Sequence, residues 1–107
     1  MEMKEQDSLL DRLAVEHERL RSMPMPERPE RIVPPYPDLD PLVGMFAKRI
    51  RQLLGEPDWT GDAADGSAEW NYNFARVPPR WRGGGLHLEI RLDADGECIA
   101  ARWRPHR

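Results

Sequence analysis

An α+β fold, with one main helix packed on a three-stranded antiparallel sheet, is predicted by three stretches of this 107-residue chain. Residues 86–103 alternate apolar and polar on both sides of Asp93-Ala94-Asp95-Gly96, the pattern of a β-hairpin with one apolar face. Residues 68–77 place Trp70, Tyr72 and Phe74 on one side and asparagines on the other, which predicts a third strand. Residues 41–54 repeat apolar side chains at helical spacing between a start, Asp40-Pro41, and a stop, Gly55 followed by Pro57.

In chain order, residues 8–21 read first as a short amphipathic helix, capped by Asp7 or Ser8, with Leu9, Leu10, Leu13, His17 and Leu20 on one narrow stripe. So thin a stripe does not hold a helix alone; it is expected to dock on the domain, pair with another copy, or fray. Residues 23–41 hold seven of the eleven prolines and predict an irregular, extended connector, with Ile32, Val33, Tyr36 and Leu39 available to pin it. The predicted organisation is therefore an N-terminal helix in 1–22, a proline-rich linker in 23–40 and an α+β domain in 41–107.

In the main helix, Leu42, Val43, Phe46, Ile50, Leu53 and Leu54 form the expected buried stripe, with Lys48, Arg49, Arg51 and Gln52 facing water. Residues 59–67, rich in Gly, Asp and Ala, are expected to be a polar turn. Pro78-Pro79 ends the aromatic strand, and residues 80–85 form a flexible loop into the hairpin. Pairing Leu92 with Glu97 sets Ile90 against Ile99, Leu88 against Ala101 and Leu86 against Trp103, which buries the most apolar surface. That register sends His87, Glu89, Arg91, Cys98, Arg102 and Arg104 to a solvated outer face.

Little here suits catalysis. The single cysteine, Cys98, excludes an internal disulfide, and His17, His87 and His106 have no metal-ligand spacing. Asp93, Asp95 and Gly96 share the opening of a calcium loop, but a strand starts where the remaining ligands belong. No Ser or Cys sits on a strand-to-helix elbow, and Gly83-Gly84-Gly85 does not lead into a helix as a phosphate cradle does. The expectation is a protein with no catalytic residues, no metal and no cofactor. No apolar run approaches the ~20 residues of a membrane span, and the charged start is unlike a signal peptide, so a cytoplasmic protein with no membrane role is expected.

Charge is unevenly spread over the net −3: residues 1–73 hold 9 Lys/Arg against 15 Asp/Glu, and residues 74–107 hold 7 Arg against 4 acids. Arg76, Arg80, Trp81 and Arg82 fall in the basic part. Trp81, between two arginines and beside glycines, has no alternation to bury it, and that is the composition of an interface anchor. Arg76, Arg80, Trp81 and Arg82 are thus the candidate partner-binding residues.

From Val43 to Trp103 the chain resembles the BamE (SmpA/OmlA) type of small domain. The resemblance is carried by Leu53-Leu54-Gly55-Glu56-Pro57, Trp70-Asn71-Tyr72 and Leu88-Glu89-Ile90-Arg91-Leu92-Asp93-Ala94-Asp95-Gly96. It implies helices before a three-stranded antiparallel sheet and a protein-binding scaffold without catalytic residues, here without that family's lipoprotein signal. The leading expectation is a small, non-enzymatic, bacterial-type adaptor or inhibitor that binds another protein, as a monomer or weak homodimer. The alternative is a nucleic-acid-binding module using an Arg/Trp surface; a third is self-association through the N-terminal helices.

Overall fold

A computed structural model describes residues 2–24, 27, 30–31, 36–76 and 85–106. In order come helix α1 (Glu2–Ser22), the two-residue strand β1 (Glu30–Arg31), a 3-10 turn (Asp40–Leu42) and helix α2 (Ala47–Leu54). Strands β2 (Trp59–Asp62), β3 (Ala68–Asn73), β4 (Ala75–Arg76), β5 (Gly85–Leu92) and β6 (Cys98–His106) follow. The class is α+β, but the antiparallel sheet has four strands, ordered β2-β3-β5-β6, where three are expected. The ribbon β1-β4 stands apart from it.

The additional strand is β2, drawn from the segment read as a polar turn. Trp59 to Asp62 pair with Asn71 to Ala68, and all four residues of β2 are exposed. A strand wet on both faces has no apolar period to betray it; its backbone pairing with β3 alone defines it. The aromatic strand divides at Phe74: β3 ends at Asn73, and Ala75–Arg76 turn away to pair with β1. Trp70, Tyr72 and Phe74 are buried as their alternation requires, and the Arg51 guanidinium lies 4.8 Å from the Trp70 ring centre.

Helix α1 extends beyond the predicted 8–21 at both ends, and its stripe of Leu9, Leu10, Leu13, His17 and Leu20 is buried in the chain's own core. Those leucines join one cluster with Leu42, Ile50, Leu88 and Ile90, so the helices cover one face of the sheet. The proline-rich segment is anchored at its end. Leu39 is buried, Tyr36 packs on Trp103, and the Trp103 indole N–H donates to the Pro37 carbonyl at 3.1 Å.

The continuous helix predicted over 41–54 is broken. Between the 3-10 turn and α2, Gly44 takes a φ of +96°. Its N–H donates to the Cys98 carbonyl (2.8 Å), that of Cys98 to Met45 (2.7 Å), and that of Ala47 to Gly96 (2.7 Å). Backbone groups that a helix would pair internally are paired with the hairpin instead. The resulting rotation buries Met45 and exposes Val43 and Phe46, two members of the expected stripe; Phe46 is 54% exposed. A methyl group at Gly44 would meet no atom within 4 Å. Gly44→Ala should therefore cost only the backbone term, about 1–2 kcal/mol, read as a lowered denaturation midpoint with an unchanged slope. Gly55 ends α2 as predicted, at a φ of +91°.

The hairpin register also differs. Leu92 pairs with Cys98, Ile90 with Ala101 and Leu88 with Trp103, and a bulge inserts Ile99. Ile99, assigned to the core by sequence, is 54% exposed, whereas Cys98, assigned to the outer face, is fully buried. The cause is the seam just described: hydrogen bonds to Gly44 and Met45 fix Cys98 against the core, and the bulge returns Ala101 and Trp103 to the apolar side. Asp93 to Gly96 form the expected turn, with Asp93 Oδ1 accepting the N–H groups of Asp95 and Glu97.

Candidate functional site

The helices lie on one side of the sheet, and cross-strand pairing groups the side chains of the opposite face into rows. One row runs Trp59, Asn71, Glu89, Arg102; a second runs Gly61, Glu69, Arg91, Ala100; a third runs Asn73, His87, Arg104. Sequence reading makes this a solvated mixed-charge surface. At its centre, however, the Glu89 side chain is only 4% exposed, and Asn71 beside it is buried.

Three arginines enclose Glu89. Arg102 Nη2 lies 3.4 Å from Oε1, Arg104 Nε 3.3 Å from Oε2, and Arg91 Nε 3.9 Å from Oε1. Burying a carboxylate is costly unless it is paired; here the guanidiniums supply the charge, and their stems exclude water. Each arginine is itself about half exposed, so it holds Glu89 while presenting donors outward. Burial and the neighbouring Glu89 carboxyl raise the Glu69 carboxyl above its ordinary value, against the pull of Arg91 and Arg104. Trp59, 42% exposed, packs its ring 5.2 Å from that of His87. Past Glu69 and Arg91 the face runs into an open groove of about 480 Å³ between the two hairpin turns, lined also by Asp62, Asp65, Asp93 and Ile99.

Of the residues singled out by sequence, Arg80, Trp81 and Arg82 lie outside the described residues. Arg76 is described only as backbone, in β4 opposite Glu30. Sequence reading missed Trp59, Glu69, Asn71 and Glu89 as a group, because alternation reports which face a residue takes and not which neighbours cover it.

A second polar cluster holds α1 to the sheet. His17 is buried, with Nε2 2.9 Å from Asp58 Oδ2 and its ring against Tyr72 and Phe74 at 5.6 and 5.3 Å. Asp58 Oδ2 also accepts the Asn73 N–H at 2.6 Å, and Oδ1 lies 3.5 Å from Arg21. Burial alone would raise the Asp58 carboxyl, but the hydrogen bonds from His17 and Asn73 and the charges of His17 and Arg21 outweigh it and hold it below 3.8. A carboxyl lowered by folding stabilises the fold above its unfolded value, and that stability is lost as pH falls through the lower folded value. Asp58→Asn should therefore flatten the acid limb of stability below about pH 4, a result readable by denaturant titration across that range.

The remaining reactive groups are quiet. Burial pushes the Cys98 thiol up to about 11, which keeps it from being a thiolate near neutrality. The Tyr72 hydroxyl, also raised by burial, donates to the Gly55 carbonyl at 2.7 Å. Among the described residues no group of three or more His, Cys, Asp or Glu could hold a metal ion, and no helix is long and apolar enough to cross a membrane.

No family model, curated protein or solved structure matches the chain. The likeness to the BamE type therefore stays a resemblance, and function has to be argued from the face itself.

Proposed function

We propose that this chain is a non-enzymatic protein-binding module, an adaptor or inhibitor, whose contact surface is the face of the sheet opposite the helices. The observation that carries this reading is the set of arginines held over the buried Glu89 beside the exposed Trp59. Arg and Trp dominate interface hot spots. Side chains already held in place lose less conformational entropy on docking. Arg76, Arg80, Trp81 and Arg82, singled out by sequence, are proposed to add to that contact.

The second reading, a nucleic-acid module, has the same Arg and aromatic composition in its favour. Glu69 and Glu89 in the middle of the patch weaken it, because they offset most of the positive charge that phosphates require. Affinity capture from the native cell, with the wild type, a Trp59→Ala/Arg102→Ala double variant and a Val15→Ala control on α1, separates these. The protein-binding reading expects a protein retained by wild type and control but lost by the double variant. Capture of nucleic acid alone, or a partner indifferent to the double variant, overturns it.

A further inference from the structure

We infer that β2 is a docking edge for a second copy of this chain: the β2 strands of two copies pair antiparallel about Gly61 and join the two four-stranded sheets edge to edge. This contact lies on the rim of the sheet and not on its Glu89 face, so it stands or falls apart from the protein-binding reading.

A strand at the rim of an antiparallel sheet turns the N–H and C=O of every second residue outward. In β2 the pairing with β3 fixes which residues these are. The Ala63 N–H donates to the Ser67 carbonyl at 2.9 Å, so by alternation Gly61 and Trp59 bond β3, and Thr60 and Asp62 direct their main chain away from the sheet. All four residues of β2 are exposed, and among the described residues no hydrogen bond beyond the ladder engages Thr60 or Asp62. The other rim, β6, is partly taken. Cys98 is bonded there to Gly44 and Met45, and Pro105, whose neighbour Leu86 faces β3 through the bond from Phe74, has no N–H to offer.

A second copy fits this edge in one register. Outward residues must pair with outward residues. Centring on Asp62 sets two aspartates directly opposite, and centring on Thr60 sets Asp62 opposite the partner's Asp58; like charges facing each other are destabilising. Centring on Trp59 calls on Asp58, whose N–H already donates to the Asn71 carbonyl at 2.8 Å. Centring on Gly61 sets each Thr60 opposite the partner's Asp62. Each such pair exchanges two main-chain hydrogen bonds, and the Thr60 hydroxyl gains a carboxylate to donate to. On the axis, Gly61 meets the partner's Gly61 with no side chain between them, a pair without main-chain bonds whose Cα atoms stand about 4.5 Å apart. An aspartate on an edge ordinarily deters pairing; here it leaves this register open. The two-fold axis stands perpendicular to the sheet, so both copies turn the Glu89 face to the same side.

Sedimentation velocity of the full chain from about 10 μM to about 1 mM should show a reversible monomer–dimer equilibrium, as a small interface implies. Thr60→Pro removes an outward N–H that β3 does not use, and should weaken the dimer at least about tenfold with the monomer fold kept. In the wild type, the Thr60 and Asp62 amides should gain protection from hydrogen exchange as concentration rises. Gly61→Cys tests the register. A Cβ there comes no closer than 4.0 Å to Glu69 Oε2, and the Cα separation across the axis suits a disulfide. With oxidised glutathione this variant should form a linked dimer, whereas Thr60→Cys, staggered along the strand from its own copy, should not. Cys98 is buried in both variants and does not compete.

A monomer at every concentration, Thr60 and Asp62 amides that stay open, a dimer untouched by Thr60→Pro, or Thr60→Cys linking as readily as Gly61→Cys each overturns the inference. A monomeric wild type that still loses its captured protein in Trp59→Ala/Arg102→Ala removes this contact and leaves the protein-binding reading standing.

Discussion

Removing residues 1–22 is expected to abolish cooperative folding of the remainder, not to release a self-sufficient sheet domain. Four leucines of α1, Leu9, Leu10, Leu13 and Leu20, are buried against the inner side of the fold. Burial of four such side chains is worth roughly 6–12 kcal/mol, comparable with the whole stability of a small domain, about 5–15 kcal/mol. The deletion also exposes Tyr72 and Phe74, on which the His17 ring packs. Circular dichroism and thermal melting of the truncated chain provide the check: a broad, featureless transition is expected, and a sharp one near the full-length midpoint would show that the helix is dispensable.

Phe74→Ala should be the most damaging single core substitution, at about 3–5 kcal/mol. The ring is fully buried and meets Trp103 edge-on, 5.2 Å between centres at 90°, and His17 at 5.3 Å. It thus touches α1, the last strand and, through Trp103, the anchored end of the proline-rich segment. Its loss leaves a cavity shared by elements that cannot collapse onto each other independently. Chemical denaturation measures the change, and Phe74→Leu, which refills most of the space, should recover more than half of it.

Much of this architecture is written in local pattern. The leucine stripe of α1, the aromatic alternation of Trp70, Tyr72 and Phe74, the stop at Gly55 and the turn at Asp93 to Gly96 each follow from residues within a few positions of one another. What escapes has a remote cause. The helix breaks at Gly44, and Ile99 bulges outward, because the same few backbone groups bond across the seam to each other. Strand β2 escapes because neither of its faces is dry. The candidate site was hidden for a related reason: Glu89 sits at a position that alternation sends outward, and arginines from its own and the neighbouring strand close in on it.

The bond from Trp103 to the Pro37 carbonyl and the bond from His17 to Asp58 span 66 and 41 positions of sequence. On the ribosome, α1 emerges before the elements that shelter it, the 3-10 turn and α2, and well before Tyr72 and Phe74, on which His17 packs. The nascent chain must therefore carry an amphipathic helix before its docking site is complete, and such long-range closure is slow. The many charges along the outer side of α1 then serve a second purpose, keeping an unfinished chain dissolved while it waits.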